Sequence, residues 1–353
     1  MTKKRHHTIP RFLLNNFASH SHGDKFWIWQ LGGDGKGVEI STKDAGVAKL
    51  FYGDPDSELE EKLASLETAA SRMLRDILST GITNGHEALL NEFAYTLMSR
   101  TQCFREQATS LSKKGLALLA STMSIELVDA AIKKSVNDSF GSHLQEAIKS
   151  LPVKQRAQAR LLASIPSLRN WVKKQLLLSL DSQEAYRYMQ NVIICAFRKK
   201  IIDEAMTKAH IKALSKFVGE RKGLATFKPV KWILHRIADP VIILGDAAVI
   251  TRAKNGEFGG LHRFGSDWSE VYLPVSPNHV LVAYNDSNIG AVEADTVNRA
   301  IACFSMAWIY SSENSQYVQS IASFISSRAP FLTDDEIRTI VDRAWAELAQ
   351  NDI

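Results

Sequence analysis

Only three cysteines, Cys103, Cys195 and Cys303, occur in 353 residues, and they lie far apart in the chain. So sparse and odd a set builds neither a disulfide framework nor a cysteine zinc site. Each falls in an apolar helical pattern, where a thiol behaves as a small buried hydrophobe. No apolar run approaches the ~20 residues that span a bilayer. The basic start Met1-Thr2-Lys3-Lys4-Arg5 is not followed by the ~7–15 apolar residues of a secretion signal. A cytoplasmic protein with no membrane partner is therefore expected. A phosphate loop, a dinucleotide fingerprint and a nucleophile elbow are missing, as is the arginine–histidine spacing of helical-bundle ribonucleases. His86-Glu87 begins a helical zinc motif, but its second histidine falls on Leu90. Charge of one sign is also lacking: 43 Lys and Arg face 38 Asp and Glu, a formal net charge of +5. That balance is compatible with nucleic acid without demanding it.

What is present is ordinary globular material, 45% apolar and 23% charged, which excludes a disordered chain. "KFWIWQL", the glycines of "GGDGKG" and "VEIS" read as a β-hairpin between Lys25 and Ile40. Ser57 and Glu60 have capping-box spacing. Leu59, Leu63, Leu66, Ala70, Met73 and Ile77 then recur at helical period, predicting a helix from about Ser57 to Leu78. The stretch from Glu87 to Gly223 is mostly helical, with breaks near Pro152, Pro166 and Asp181-Ser182 and no fixed repeat. "KWILHR", "PVIILGDAAVITR", "EVYLPVSP" and "HVLVAYND" read as antiparallel strands. Helices follow over "ADTVNRAIACFSMAWIYS", "SQYVQSIASFIS" and "TDDEIRTIVDRAWAELAQ", the last capped by Thr333. The expectation is a helix-dominated α+β fold whose small, mostly antiparallel sheet combines the N-terminal hairpin with residues ~228–285. Residues 1–353 read as one domain with sub-regions 1–56, 57–226 and 227–353.

Several chemistry-like patterns have plainer readings. His20 and His22 could ligate a metal from a strand, but "SHSHGDK" offers no further ligands and reads as a polar turn. Asp56 with Glu60-Glu61-Lys62 carries the letters of a magnesium nuclease, yet all fall at a helix start. No metal site is expected. Dibasic steps recur at Lys113-Lys114, Lys133-Lys134, Lys173-Lys174, Arg198-Lys199-Lys200 and Arg221-Lys222. Turned toward one groove, Lys173, Lys174, Arg198, Lys199 and Lys200 would bind a polyanion with salt-sensitive affinity. Otherwise they are solvated helix faces.

The chain opens with "HHTIPRFLLNNF". His7-Thr8-Ile9-Pro10 followed by Leu14 and Phe17 resembles the H-x-x-P-x-x-x-L-x-x-F signature of the domain-of-unknown-function family 4238. "FWIWQL" resembles that family's first strand, "LEEKLASLE" its acidic helix with Glu60 and Glu67, and "NEFAYTLMSRT" its helix with Glu92 and Arg100. "YLPVSPNHVLVAY" is similar to its P-x-S-P strand pair, and Asn298 to its next helix asparagine. "IILGDAAVI" stands where the family has S-D-N-P, so Ala247-Ala248 replace the residues that would fix a tight turn after Asp246. The resemblance implies a bacterial antiphage-defence role.

The candidate site comprises His7, Glu67, Arg100 and Asp246. Histidine, with an ordinary pKa of ~6.5, can shuttle a proton or face a phosphate. Pro10 can open a helix over Arg11–Phe17, placing His7 before a helix N-terminus that attracts anions. Arg100 can grip a phosphate bidentately. Glu67 and Asp246 can act as acid–base partners or fix His7 and Arg100. Two functions stay open. One is a nuclease-like defence effector acting on nucleic acid or another phosphate-bearing ligand, with a phage-derived trigger. The other is a non-catalytic sensor or partner-binding protein built on a structural His–Arg–acid cluster. No particular cofactor is implied.

Overall fold

A computed structural model describes residues 5–49, 51–52, 58–198, 201–220, 227–260, 267–287, 289–327 and 334–349. It is an α+β protein dominated by helix, and its strands form several small antiparallel sheets. The chain makes two compact units, residues 1–109 with 204–332 and residues 110–203 with 333–353.

In the first unit, β1 (Arg5–His7) pairs with β5 (Val47–Lys49), His7 opposite Val47. The turn of helix α1 (Arg11–Asn15) follows Pro10. Next come β2 (His20–His22), β3 (Lys25–Leu31) and β4 (Gly37–Ser41). The expected hairpin is β3–β4, with Leu31 opposite Gly37. The expected helix is α2 (Glu58–Thr80), which buries Leu59, Leu63, Leu66, Ala70, Met73 and Ile77. Its proposed cap, Ser57, lies outside the described residues. Helix α3 (Glu87–Ser99) buries Leu90, Phe93, Leu97 and Met98.

The four C-terminal strand stretches are also present. β6 (Lys231–Arg236), β8 (Ile250–Ala253), β9 (Phe258–Gly259), β10 (Trp268–Ser276) and β11 (His279–Tyr284) form a sheet in the order β6-β11-β10-β8-β9. The N-terminal hairpin is not hydrogen-bonded to that sheet. It pairs with β12 (Ile309–Ser311) and, through it, with β7 (Leu244–Gly245). The sequence hid this because Ile309–Ser311 continues the apolar pattern of helix α10 (Ala294–Phe304). Ser305 is extended and ends that helix, freeing the next residues to pair. The two sheets share one core, in which Ile28 and Leu31 belong to the same buried cluster as Leu273, Val275 and Leu281.

The division between units does not follow the sub-regions 57–226 and 227–353. Helix α9 (Ile201–Glu220) buries Leu214 and Val218 in a cluster with Leu59, Leu63 and Leu66, which ties it to the N-terminal helices. The second unit holds α5 (Ile125–Ser150), α6 (Val153–Ala163), α7 (Pro166–Ser179), α8 (Ser182–Arg198) and α12 (Asp334–Ala349). The helix breaks at Pro152, Pro166 and Asp181 fall where expected, with Pro166 opening α7. Helices α8 and α12 both pack on α5. Thr333, the proposed cap of α12, lies outside the described residues, but Asp334, Asp335 and Glu336 fill its first turn. No helix among the described residues is long and apolar enough to cross a membrane.

Candidate functional site

The site begins with the anchoring of the N-terminus. Ile9, Leu13, Leu14 and Phe17 are fully buried, and the Phe12 ring packs 5.7 Å from that of Phe93. Each such burial stabilises by roughly 1.5–3 kcal/mol, enough to hold an end that would otherwise fray. Gly46 closes the other side of the turn at φ +58°, where a side chain is strained. Its carbonyl accepts from the Thr8 amide at 2.8 Å, and its N–H donates to the Tyr310 hydroxyl at 3.0 Å.

Beside this turn lies a cleft of about 530 Å³ lined by Arg5, His6, His7, Arg11, Lys43, Tyr52, Glu60, Leu63, Ala64, Glu67 and Arg100. Three of the four candidate residues, His7, Glu67 and Arg100, therefore come together. Arg100 is 2% exposed. Its Nε donates to the Tyr52 hydroxyl at 2.9 Å, Nη1 to Glu67 Oε1 at 2.6 Å, and Nη2 to the His7 carbonyl at 2.5 Å. The guanidinium thus holds the main chain of His7 and leaves its ring to the cleft. The His7 Nδ1 is buried without a hydrogen-bond partner of good geometry. Burial lowers the His7 pKa from 6.5. The Ala45 backbone and the Glu67 charge oppose this, while the Arg100 and Arg11 charges reinforce it. The imidazole is neutral at pH 7 and able to accept a proton.

Asp246 is not part of this cluster. Its carboxylate accepts from the amides of Met306 at 2.8 Å, Ala307 at 2.7 Å and Trp308 at 3.0 Å. Burial raises its pKa and the three amides pull it down. Asp246 shapes the turn between α10 and β12. The neighbouring Ala247-Ala248 turn forms without proline, with Ala248 held at φ +57°. Asn298 is likewise structural: fully buried, it accepts from the Ile243 amide at 3.0 Å and donates to the Val241 carbonyl at 2.7 Å.

The helix after Pro10 ends at Asn15, a single turn. So short a helix has almost no dipole, and the anion attraction expected there is not supplied by it. The cleft's positive groups are side chains instead: Arg5, Arg11, Lys43 and Arg100.

Sequence reading overlooked His6, Tyr52, Arg105 and His210. His6 is buried, accepts from the Tyr52 amide through Nδ1 at 2.9 Å, and has Nε2 2.8 Å from Glu60 Oε1. The Nε2 is close to that carboxylate without a hydrogen bond of good geometry to it. His210 accepts from Arg105 Nε at 2.9 Å, and its Nε2 is 2.5 Å from the Ser99 carbonyl. Burial lowers its pKa to about 4. The doublet His6-His7 was the only signal for the first, and nothing local marks His210.

Of the expected polyanion-binding residues, Lys173 is half-buried and Lys174 exposed on α7. Arg198 ends α8, and Lys199 and Lys200 lie outside the described residues. His20 stacks on Trp27 at 5.0 Å and meets Glu39 at 3.2 Å. Among the described residues no group of three or more His, Cys, Asp or Glu is placed to hold a metal.

No curated protein and no solved structure matches the chain. The model of one family, described as "Protein of unknown function (DUF4238)", matches residues 5–315. Those residues include every group that lines the cleft, and the chain belongs to the DUF4238 family.

Proposed function

We infer that the cleft beside His7 binds a phosphate-bearing ligand and that His7 exchanges a proton with it. One observation carries this reading. Four cationic side chains line the cleft, and its two carboxylates already lie against protein groups, Glu67 bonded to Arg100 and Glu60 2.8 Å from the His6 ring. Lys43 is left facing the space, and Arg11, whose Nη2 donates to the Asp24 carbonyl at a long 3.5 Å, keeps a buried Nε with no hydrogen-bond partner. Arg5 has only an exposed pairing with Asp44, which holds it weakly. In the catalytic form of the proposal, neutral His7 takes the proton of an attacking hydroxyl or water. The new P–O bond then forms as the bond to the leaving oxygen breaks. Nucleic acid is the ligand class to test first, and antiphage defence, implied by the family resemblance, is the proposed setting.

The experiment is nucleic-acid and metabolite profiling of cells expressing the protein, its His7→Ala variant and an Arg11→Ser/Lys43→Ser variant. A phosphoester that disappears only with the wild-type protein supports the reading. Identical profiles for all three contradict it.

A second reading has its own observation. Every nitrogen of Arg100 is engaged by protein, as a purely structural clamp requires. On that reading the cluster pins the N-terminus of a sensor or partner-binding protein, and loss of His7 acts on stability alone.

A further inference from the structure

Among the described residues, three buried side-chain nitrogens lack a hydrogen-bond partner of good geometry: Nε2 of His6, Nδ1 of His7 and Nε of Arg11. All three belong to residues that line the cleft. Buried polar atoms left unpaired are uncommon and costly. Their concentration at one place points to a polar partner that the chain does not supply. At about 530 Å³ the cleft lies within the ~300–1,000 Å³ of small-molecule sites.

The charges of the lining are divided by element. Helix α2 supplies Glu60, Leu63, Ala64 and Glu67, spaced by three and four residues along one helix face with a carboxylate at each end. The cations Arg5, Arg11 and Lys43 come instead from β1, α1 and the turn between β4 and β5. The Glu67 charge is answered by Arg100. Glu60 lies against His6 without a hydrogen bond of good geometry, and its side chain is 24% exposed, so it can accept from a donor in the cleft. An anion held by Arg11 and Lys43 must therefore continue toward α2 as a group that adds no negative charge and offers donors. Hydroxyl groups do both. A nucleic-acid strand passing through would bring a second phosphate toward Glu60, and like charges brought together oppose binding. Leu63 and Ala64 leave an apolar contact for the rest of such a ligand.

We propose that the ligand is a phosphomonoester of a small hydroxyl-bearing body, the class of nucleoside monophosphates and sugar phosphates, with its phosphate at Arg11 and Lys43 and a hydroxyl on Glu60. This rests on the reading that the cleft takes a phosphate, and it narrows that reading by excluding the internal diesters of a nucleic-acid strand.

The test is calorimetric titration of the full chain with AMP, glucose 6-phosphate, methyl phosphate and a short RNA without terminal phosphates. AMP or glucose 6-phosphate should bind more tightly than methyl phosphate and than the RNA, and the better of the two separates a nucleotide from a sugar phosphate. Glu60→Gln should weaken that ester about ten-fold, the effect of losing a hydrogen bond to a charged acceptor. The same variant should bind methyl phosphate as well as wild type or better, because a negative charge has gone. Lys43→Ser, at an exposed position, should weaken every monoester about five-fold and so reports on the phosphate reading itself. The comparison of esters with RNA uses the wild-type protein and stands whatever Glu60→Gln does to folding. RNA binding more tightly than both esters, or a Glu60→Gln protein that folds and holds the ester undiminished, would overturn this proposal while leaving the cleft a phosphate site. Binding of none of the four would overturn both.

Discussion

Arg100 and His7, 93 positions apart, are joined by a hydrogen bond from the guanidinium Nη2 to the His7 carbonyl at 2.5 Å. The bond fixes the strand at its backbone, so the imidazole can face the cleft with neither nitrogen given to Arg100. The same guanidinium reaches Glu67, which fastens helix α2 to the chain's first strand.

Removing this clamp should be costly. Arg100→Ala leaves the Glu67 carboxylate, the Tyr52 hydroxyl and the His7 carbonyl without their donor. Breaking a largely buried pair in this way costs about 3 kcal/mol or more. Urea unfolding of the variant should show it. A loss below about 1 kcal/mol, the range of exposed pairs, would contradict the assignment.

Acid should weaken the protein before its carboxylates titrate. Burial lowers the pKa of both His7 and His210, the latter to about 4. In the unfolded chain both take up protons near 6.5. Between these values the unfolded state binds more protons, so stability is complete above about pH 6.5 and falls as pH drops toward 4. For His210 the loss is about 3 kcal/mol by pH 4. His210→Asn should flatten the curve of unfolding free energy against pH. An unchanged slope would show that His210 is not held neutral.

Asp246 should matter for folding and not for the cleft. Asp246→Ala orphans the three amides of Met306, Ala307 and Trp308 and should cost about 2–4 kcal/mol. Phosphate-ligand affinity per folded molecule should stay at the wild-type value. A selective loss of affinity with normal melting would return Asp246 to the site.

Phe17→Ala should lower stability by about 3–5 kcal/mol, because the ring is fully buried in the main core. A shift in the melting midpoint of only a degree or two would mean that the N-terminal segment is not held as described.

Local patterns were legible. The period of Leu59, Leu63, Leu66, Ala70, Met73 and Ile77 gave α2 within a residue or two, and the stretches "EVYLPVSP" and "HVLVAYND" gave the antiparallel pair β10 and β11. Pairings between distant segments were not legible. Ile309–Ser311 reads as the tail of a helix until Asp246, some sixty positions earlier, takes up the amides before it. The site divides in the same way. His7, Glu67 and Arg100 were recognisable by motif and do converge, whereas Asp246 shares their motif pattern and lies elsewhere. Tyr52 and His6 were missed because their roles depend on stacking at 5.3 Å and on one backbone amide, and neither leaves a spacing in the sequence.

The most direct measurement pairs phosphoester turnover in expressing cells with thermal melting of purified His7→Ala. The account predicts a melting midpoint within a few degrees of wild type, corresponding to less than about 1 kcal/mol, together with complete loss of turnover. A variant that melts as early as Phe17→Ala, or one that melts normally and keeps full turnover, would contradict it.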